Sequence, residues 1–185
     1  MLTVVKVGGG LAREPDALRA LCEAIGAAGA RHRLLVVPGG GELADVVRNY
    51  DRRLGLSPAT AHWMAILAMD QLGWALSELI PGAVRRTDLE VGQGVSVLLP
   101  YALLRECDPL PASWDVTSDS IAAWIADAAG AGRLVLVKPG ADRLGVDGYF
   151  STAARVEAWA IDGTEPARLT QLLDTGRTTG AVLSA

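Results

Sequence analysis

The sequence predicts an α/β protein, a three-layer α/β/α sandwich with a mainly parallel central sheet. Two apolar runs near the start, Val4-Val5-Lys6-Val7 and Leu34-Leu35-Val36-Val37, read as buried strands. Each ends in glycines, Gly8-Gly9-Gly10 and Pro38-Gly39-Gly40-Gly41, and each leads into a helical pattern. Strand, helix, strand with short links is the order that builds a parallel sheet covered by helices.

Residues 2–7 form the first expected strand. Across 14–28, Leu18, Leu21, Cys22 and Ile25 recur at helical spacing, and Gly29 supplies a stop. A second strand is expected over 33–37. Beyond the second glycine cluster, Leu43, Val46, Val47, Tyr50 and Leu54 again have helical spacing; residues 55–58 break it, and a longer helix covers 59–79. Short strands and turns fill 83–98, a short helix 100–106, and a proline-rich ordered loop 108–112. The remainder reads as a helix over 118–129, strands over 134–137 and 155–158, and a last helix over 166–173.

With 185 residues, half of them hydrophobic, the chain suits one well-packed domain spanning 1–185. A net charge of -4 argues against a general nucleic-acid binder, which needs a basic face for phosphates. Cys22 and Cys107 are too few and too distant for a disulfide framework or zinc site, and their apolar settings suit buried thiols in a reducing cytoplasm. The chain starts directly on a strand pattern, and no apolar run approaches the roughly 20 residues that span a bilayer. A cytoplasmic protein with neither signal peptide nor membrane anchor is expected.

Glycines at a strand end expose N–H groups that no Cβ screens, so Gly8, Gly9, Gly10 and Gly39, Gly40, Gly41 read as a phosphate cradle. Neither cluster has the spacing of a Walker A loop or of a GxGxxG fingerprint. Lys6, a cation inside a Val strand, is either an edge lysine in solvent or a phosphate ligand at the carboxyl end of the sheet. Asp119, at the start of the 118–129 helix, either caps that helix or organises cations, and the two roles are compatible. Lys138 ends the run Leu134-Val135-Leu136-Val137 and is expected to emerge at the same sheet edge as Lys6, either as a phosphate-neutralising cation or as a solvated strand-end lysine. Two lysines and an aspartate would neutralise a transferring phosphoryl group. His62, on the long helix, is a core histidine or a substrate contact. Arg48, Arg52, Arg85 and Arg86 are solvated or hold a substrate anion.

Val-Lys-Val-Gly-Gly-Gly at 5–10, Pro-Gly-Gly-Gly at 38–41 and Thr-Ser-Asp-Ser-Ile-Ala at 117–122 resemble, in that order, the amino acid kinase superfamily. Within it, Ala61-His62-Trp63-Met64-Ala65, Leu99-Pro100-Tyr101 and the 111–119 segment are most similar to the small kinases of methanofuran biosynthesis. The resemblance implies transfer of the ATP γ-phosphoryl group to the phosphate of 5-(aminomethyl)-3-furanmethanol phosphate. It further implies that Lys6, Asp119 and Lys138 are catalytic and that Gly8, Gly9 and Gly10 hold the nucleotide phosphates. Gly39, Gly40, Gly41, His62, Trp114 and Asp115 would then face the acceptor, and Mg2+ would neutralise ATP with no protein metal ligand assigned. In place of the family's Asp-Val-Asp-Gly type turn stands a longer loop, 138–148, in which Asp147-Gly148 is the displaced remnant and the expected nucleotide contact. Two alternatives stay open: a kinase for another small phosphate or carboxylate, and a catalytically altered protein that binds nucleotide or another anion as a regulatory or complex subunit. The expected partner is a small-molecule phosphate, with no nucleic acid and no membrane. Trp63, Leu72, Trp74 and Leu76 could supply an apolar face for a homo-oligomer, or simply pack in the core.

Overall fold

A computed structural model of the chain describes residues 1–107 and 109–184; Asp108, first residue of the expected 108–112 loop, lies outside them. In chain order the elements are β1 (Leu2–Val7), a 3-10 turn (Gly9–Arg13), α1 (Pro15–Ala28), β2 (Arg33–Pro38), α2 (Gly41–Leu54), α3 (Pro58–Leu79), β3 (Val84–Arg86) and β4 (Gly94–Leu98). Then follow α4 (Pro100–Cys107), α5 (Ser118–Ala128), β5 (Arg133–Lys138), a 3-10 turn (Ala141–Arg143), α6 (Phe150–Ala153), β6 (Glu157–Asp162), α7 (Ala167–Thr175) and β7 (Ala181–Ser184). The strands form one sheet, ordered β3-β4-β2-β1-β5-β6-β7, parallel throughout except for the β6–β7 pair.

Strand β1 lies at the centre, with Lys6 beside Val37 of β2 on one flank and Leu136 of β5 on the other. Successive side chains leave a strand on opposite faces, so Val4 and Val5 enter different cores. Val4 joins Leu35 and Val37 under Ile66 and Met69 of α3 and Ile121 and Ile125 of α5. Val5 joins Val7, Leu34 and Val36 under Leu21 and Ile25 of α1, Leu72 and Leu76 of α3, and Leu169 and Leu172 of α7. Burial on both faces is why these strands read as unbroken apolar runs.

Four features differ from expectation. β6 begins at Glu157, two residues late, because its register with β5 pairs Arg133 with Glu157, an ion pair of 3.0 Å, and buries Ala158, Ala160 and Ile161. β7 and the four-residue α6 carry no local signal; β7 exists as an antiparallel addition to the edge of β6. Leu72 and Leu76 are buried in the second core and Trp63 packs edge-on to Tyr101, so on α3 only Trp74 of the expected apolar face is exposed, under the Arg85 guanidinium at 4.1 Å. Cys22 is buried, its thiol pushed up to about 11 by desolvation, whereas Cys107 is exposed.

Candidate active site

Both glycine clusters stand at the carboxyl edge of the sheet, and their first members continue it. Gly8 donates its N–H to the Val137 carbonyl at 2.8 Å, and Gly39 donates to that of Val7 at 2.9 Å. These two amides are therefore committed to backbone partners. The next residues open the Gly9–Arg13 turn and α2, where the first N–H groups have no partner within the helix. Gly9, Gly10, Gly40 and Gly41 occupy those positions. The clusters also press on one another: a Cβ on Gly9 would lie 2.2 Å from the Gly41 nitrogen, and one on Gly39 would lie 2.6 Å from the Gly9 nitrogen. Gly41 itself has φ +53°, which favours glycine again.

Three charged side chains meet beside this edge. Lys6 leaves β1 on the face that Val4 also uses, towards α5, and Lys138 ends the adjacent β5. Thr117 caps helix α5, its Oγ1 accepting the Asp119 N–H at 3.4 Å, so Asp119 stands in the first turn. Asp119 Oδ1 accepts from Lys6 Nζ at 2.7 Å and Oδ2 from Lys138 Nζ at 2.5 Å. Lys6 is 5 % exposed, Asp119 4 % and Lys138 7 %, so water does little to screen the trio. Burial alone would raise the Asp119 carboxyl, yet the two lysines prevail and hold it below the ordinary carboxylate range. Lys138 is pushed below the ordinary lysine range by burial and by Lys6, against the pull of Asp119 and Asp147. Two ammonium groups share one carboxylate, a surplus of positive charge that a phosphate would complete.

Asp147 turns towards α5. Its carboxylate accepts from the Thr117 N–H at 3.0 Å and hydroxyl at 2.6 Å, from the Ser120 N–H at 3.2 Å, from the Ser120 hydroxyl, and from the Tyr149 N–H at 3.1 Å. Gly148 is exposed, with open space where a Cβ would stand.

A cavity of about 570 Å3 opens beside the glycine edge and the start of α5. Gly10, Gly40, Gly41, His62, Trp114 and Asp115 line it, together with Thr117 and Ser118; Gly39 does not. Its floor is apolar, formed by Leu56, Ala65, Ile66, Met69, Val116 and Ile121. Across the wall runs a polar chain: Arg13 meets Glu42 at 3.1 Å and Asp45 at 3.2 Å, Arg48 meets Asp45 at 2.9 Å and lies 4.8 Å from the Trp114 ring, and Trp114 Nε1 donates to Asp51 at 2.7 Å. Of the residues in this polar chain, sequence reasoning missed Arg13, Glu42, Asp45 and Asp51. Part of the signal was present, since positions 42, 45, 48 and 51 on α2 are each i, i+3 neighbours of the next. Arg52 is exposed outside the cavity lining, and Arg85 is engaged with Trp74 and Ser77. Among the described residues no group of three or more His, Cys, Asp or Glu is placed to hold a metal ion.

The sequence profile of the amino acid kinase family matches residues 1–93. A curated relative from Methanocaldococcus jannaschii, (5-(aminomethyl)furan-3-yl)methyl phosphate kinase, is 30% identical over 154 residues, which is 80% of this chain and 67% of the relative. Among solved structures, uridylate kinase from Archaeoglobus fulgidus superposes with a TM-score of 0.72 at 17% identity, covering 94% of this chain and 95% of that one. UMP kinase from Ureaplasma parvum gives 0.67 at 14% identity, covering 96% of each. At such identities the structures speak for the fold, and the profile and the curated relative for the lineage: this chain belongs to the amino acid kinase family and is a phosphotransferase.

Proposed function

We propose that this kinase transfers the γ-phosphoryl group of ATP to the phosphate of 5-(aminomethyl)-3-furanmethanol phosphate, forming a diphosphate. The observation that carries the reading is the buried Lys6–Asp119–Lys138 bridge at the glycine edge, with its surplus positive charge. In the reaction, an oxygen of the acceptor phosphate forms a bond to the γ-phosphorus as the bond to the β,γ-bridging oxygen breaks, and ADP leaves with that electron pair. An ionised phosphate needs no base to deprotonate it, so the chain's task is to align two anions and offset their repulsion. Lys6 and Lys138 neutralise charge on the transferring group, and Asp119 fixes their ammonium groups. The N–H groups of Gly9 and Gly10, which have no partner within their helix, suit the nucleotide phosphates, and those of Gly40 and Gly41 the acceptor phosphate. Mg2+ would enter on the nucleotide's own oxygens, which matches how that ion usually binds in kinases.

The cavity supports this acceptor in particular. Its apolar floor suits a furan ring. Four lining carboxylates, Glu42, Asp45, Asp51 and Asp115, face only two arginines, Arg13 and Arg48, and neither Asp51 nor Asp115 has an ion-pair partner among the described residues. A wall with more negative than positive groups suits an acceptor that carries an ammonium.

The test is ADP release from Mg-ATP with three acceptors: the aminomethyl furan phosphate, the analogue without its amino group, and UMP. Turnover is expected on the first, about tenfold weaker kcat/KM on the second if one charged hydrogen bond is lost, and none on UMP. Lys6→Ala should reduce turnover by a factor on the order of 1,000. A folded protein that turns over none of these would support the reading of an anion-binding subunit instead.

A further inference from the structure

Two carboxylates share the N-terminus of α5. Asp119 faces the lysines, whereas Asp147 reaches in from the far side of the loop that follows Lys138. Four of the five bonds that Asp147 accepts come from Thr117 and Ser120, which bracket Asp119 in the chain. The fifth, from the Tyr149 N–H, closes a turn that ties the carboxylate to its own loop just before α6. Lys138 and Asp147 thus stand at opposite ends of one loop, and both end on the same helical turn.

We infer that Asp147 is a positioning residue for the phosphoryl transfer: by holding the first turn of α5, its carboxylate sets Asp119 between Lys6 and Lys138. The inference rests on the function proposed above. An aspartate side chain is short, so the Asp119 oxygens follow any rotation of that turn, and a shift of 1 Å would lengthen bonds of 2.7 and 2.5 Å together. Misplacement on that scale costs about 100-fold in rate. Ser120 is fully buried and lies outside the cavity lining, so its hydroxyl serves the Asp147 contact without touching the acceptor.

Asp147 also acts through charge. Among the described residues, the charged groups that act on Lys138 are Lys6 from β1, Asp119 from α5 and Asp147 from the loop; Asp162, its neighbour in register on β6, accepts from Thr164. Replacing Asp147 by Asn leaves Asp119 to hold the Lys138 proton against burial and Lys6, so Lys138 should deprotonate at a lower pH. A helix cap with only a structural role would lower the melting temperature and leave that titration in place.

The experiment compares wild type, Asp147→Asn and Ser120→Ala in steady-state kinetics, thermal unfolding and NMR titration of the lysine side chains. For Asp147→Asn, kcat should fall about 100-fold while KM for ATP and acceptor stays within about twofold. Its Lys138 midpoint should move to lower pH. Ser120→Ala, which keeps the charge, should reduce kcat about tenfold, a partial loss of the same positioning, with the Lys138 midpoint unmoved. An unchanged kcat per folded molecule, or a fall in kcat with Lys138 titrating as in wild type, would overturn the inference. If Asp147→Asn fails to fold, Ser120→Ala decides by its kcat. If the wild type turns over no acceptor, the proposed function fails, while the Lys138 titration still reports whether Asp147 governs the bridge.

Discussion

Asp119 bridges two buried ammonium groups, and its loss would leave their repulsion uncompensated. Asp119→Asn preserves shape and removes the charge, so it separates electrostatics from packing. The expected result is a fall in kcat on the order of 100- to 1,000-fold and a loss of about 3 kcal/mol of stability from unpaired buried charge, measured by activity and urea unfolding. Acid should act through the same residue. Its folded carboxyl lies below the unfolded value of 3.8, so its contribution to stability is present above 3.8 and disappears as pH falls through the lower folded value. Wild type should therefore lose more stability than Asp119→Asn on acidification from pH 5 through that range, as read by unfolding midpoints. Lys6 and Lys138 were legible in the sequence as charges within or at the end of apolar strands, and Asp119 as a carboxylate at a helix start. Asp147 was legible as a residue but not in its contacts. Its partners on α5 lie 27 and 30 positions away, and no local pattern joins a loop to a helix cap at that distance.

The glycine clusters show how an element can be read correctly and explained incompletely. Glycine looks like an open cradle in sequence, yet Gly8 and Gly39 hydrogen-bond to the sheet, and Gly9 is glycine because Gly41 stands against it. Gly9→Ala would force a backbone shift, and about 1 to 3 kcal/mol of destabilisation is expected. Gly92→Ala, where a Cβ meets nothing within 4 Å, should change stability by less than about 0.5 kcal/mol. Chemical denaturation of the two variants checks the contrast. Among the strands, β1, β2 and β5 were legible because both their faces are buried. The edge strand β7 was not, because pairing with β6 and not its own composition creates it. Helix α3, read as either an apolar face or core packing, falls mostly to the second alternative. It packs Ile66 and Met69 into one core and Leu72 and Leu76 into the other, so its apolar positions wrap around the helix instead of marking a free face.

At the scale of the whole molecule, the sheet order brings distant parts of the chain to one edge. β5 inserts beside β1 after more than a hundred intervening residues, while α5, which directly precedes β5, crosses the face that Lys6 uses. The three-layer architecture was legible from the alternation of strands and helices. The position of the cavity was not, because it depends on α2, α3 and the 112–118 segment converging from separate stretches of sequence.

The separation of 113 positions between Lys6 and Asp119 also constrains how the protein is made. A nascent chain has no bridge until residue 138 has left the ribosome, since β1 lacks one of its two neighbours before then. Contacts of such long range form late and slow folding. Catalytic competence should therefore return with the final cooperative phase of refolding, and an earlier collapsed species should carry none. Stopped-flow tryptophan fluorescence beside timed activity recovery would read this directly, with coincident slow phases as the expected outcome.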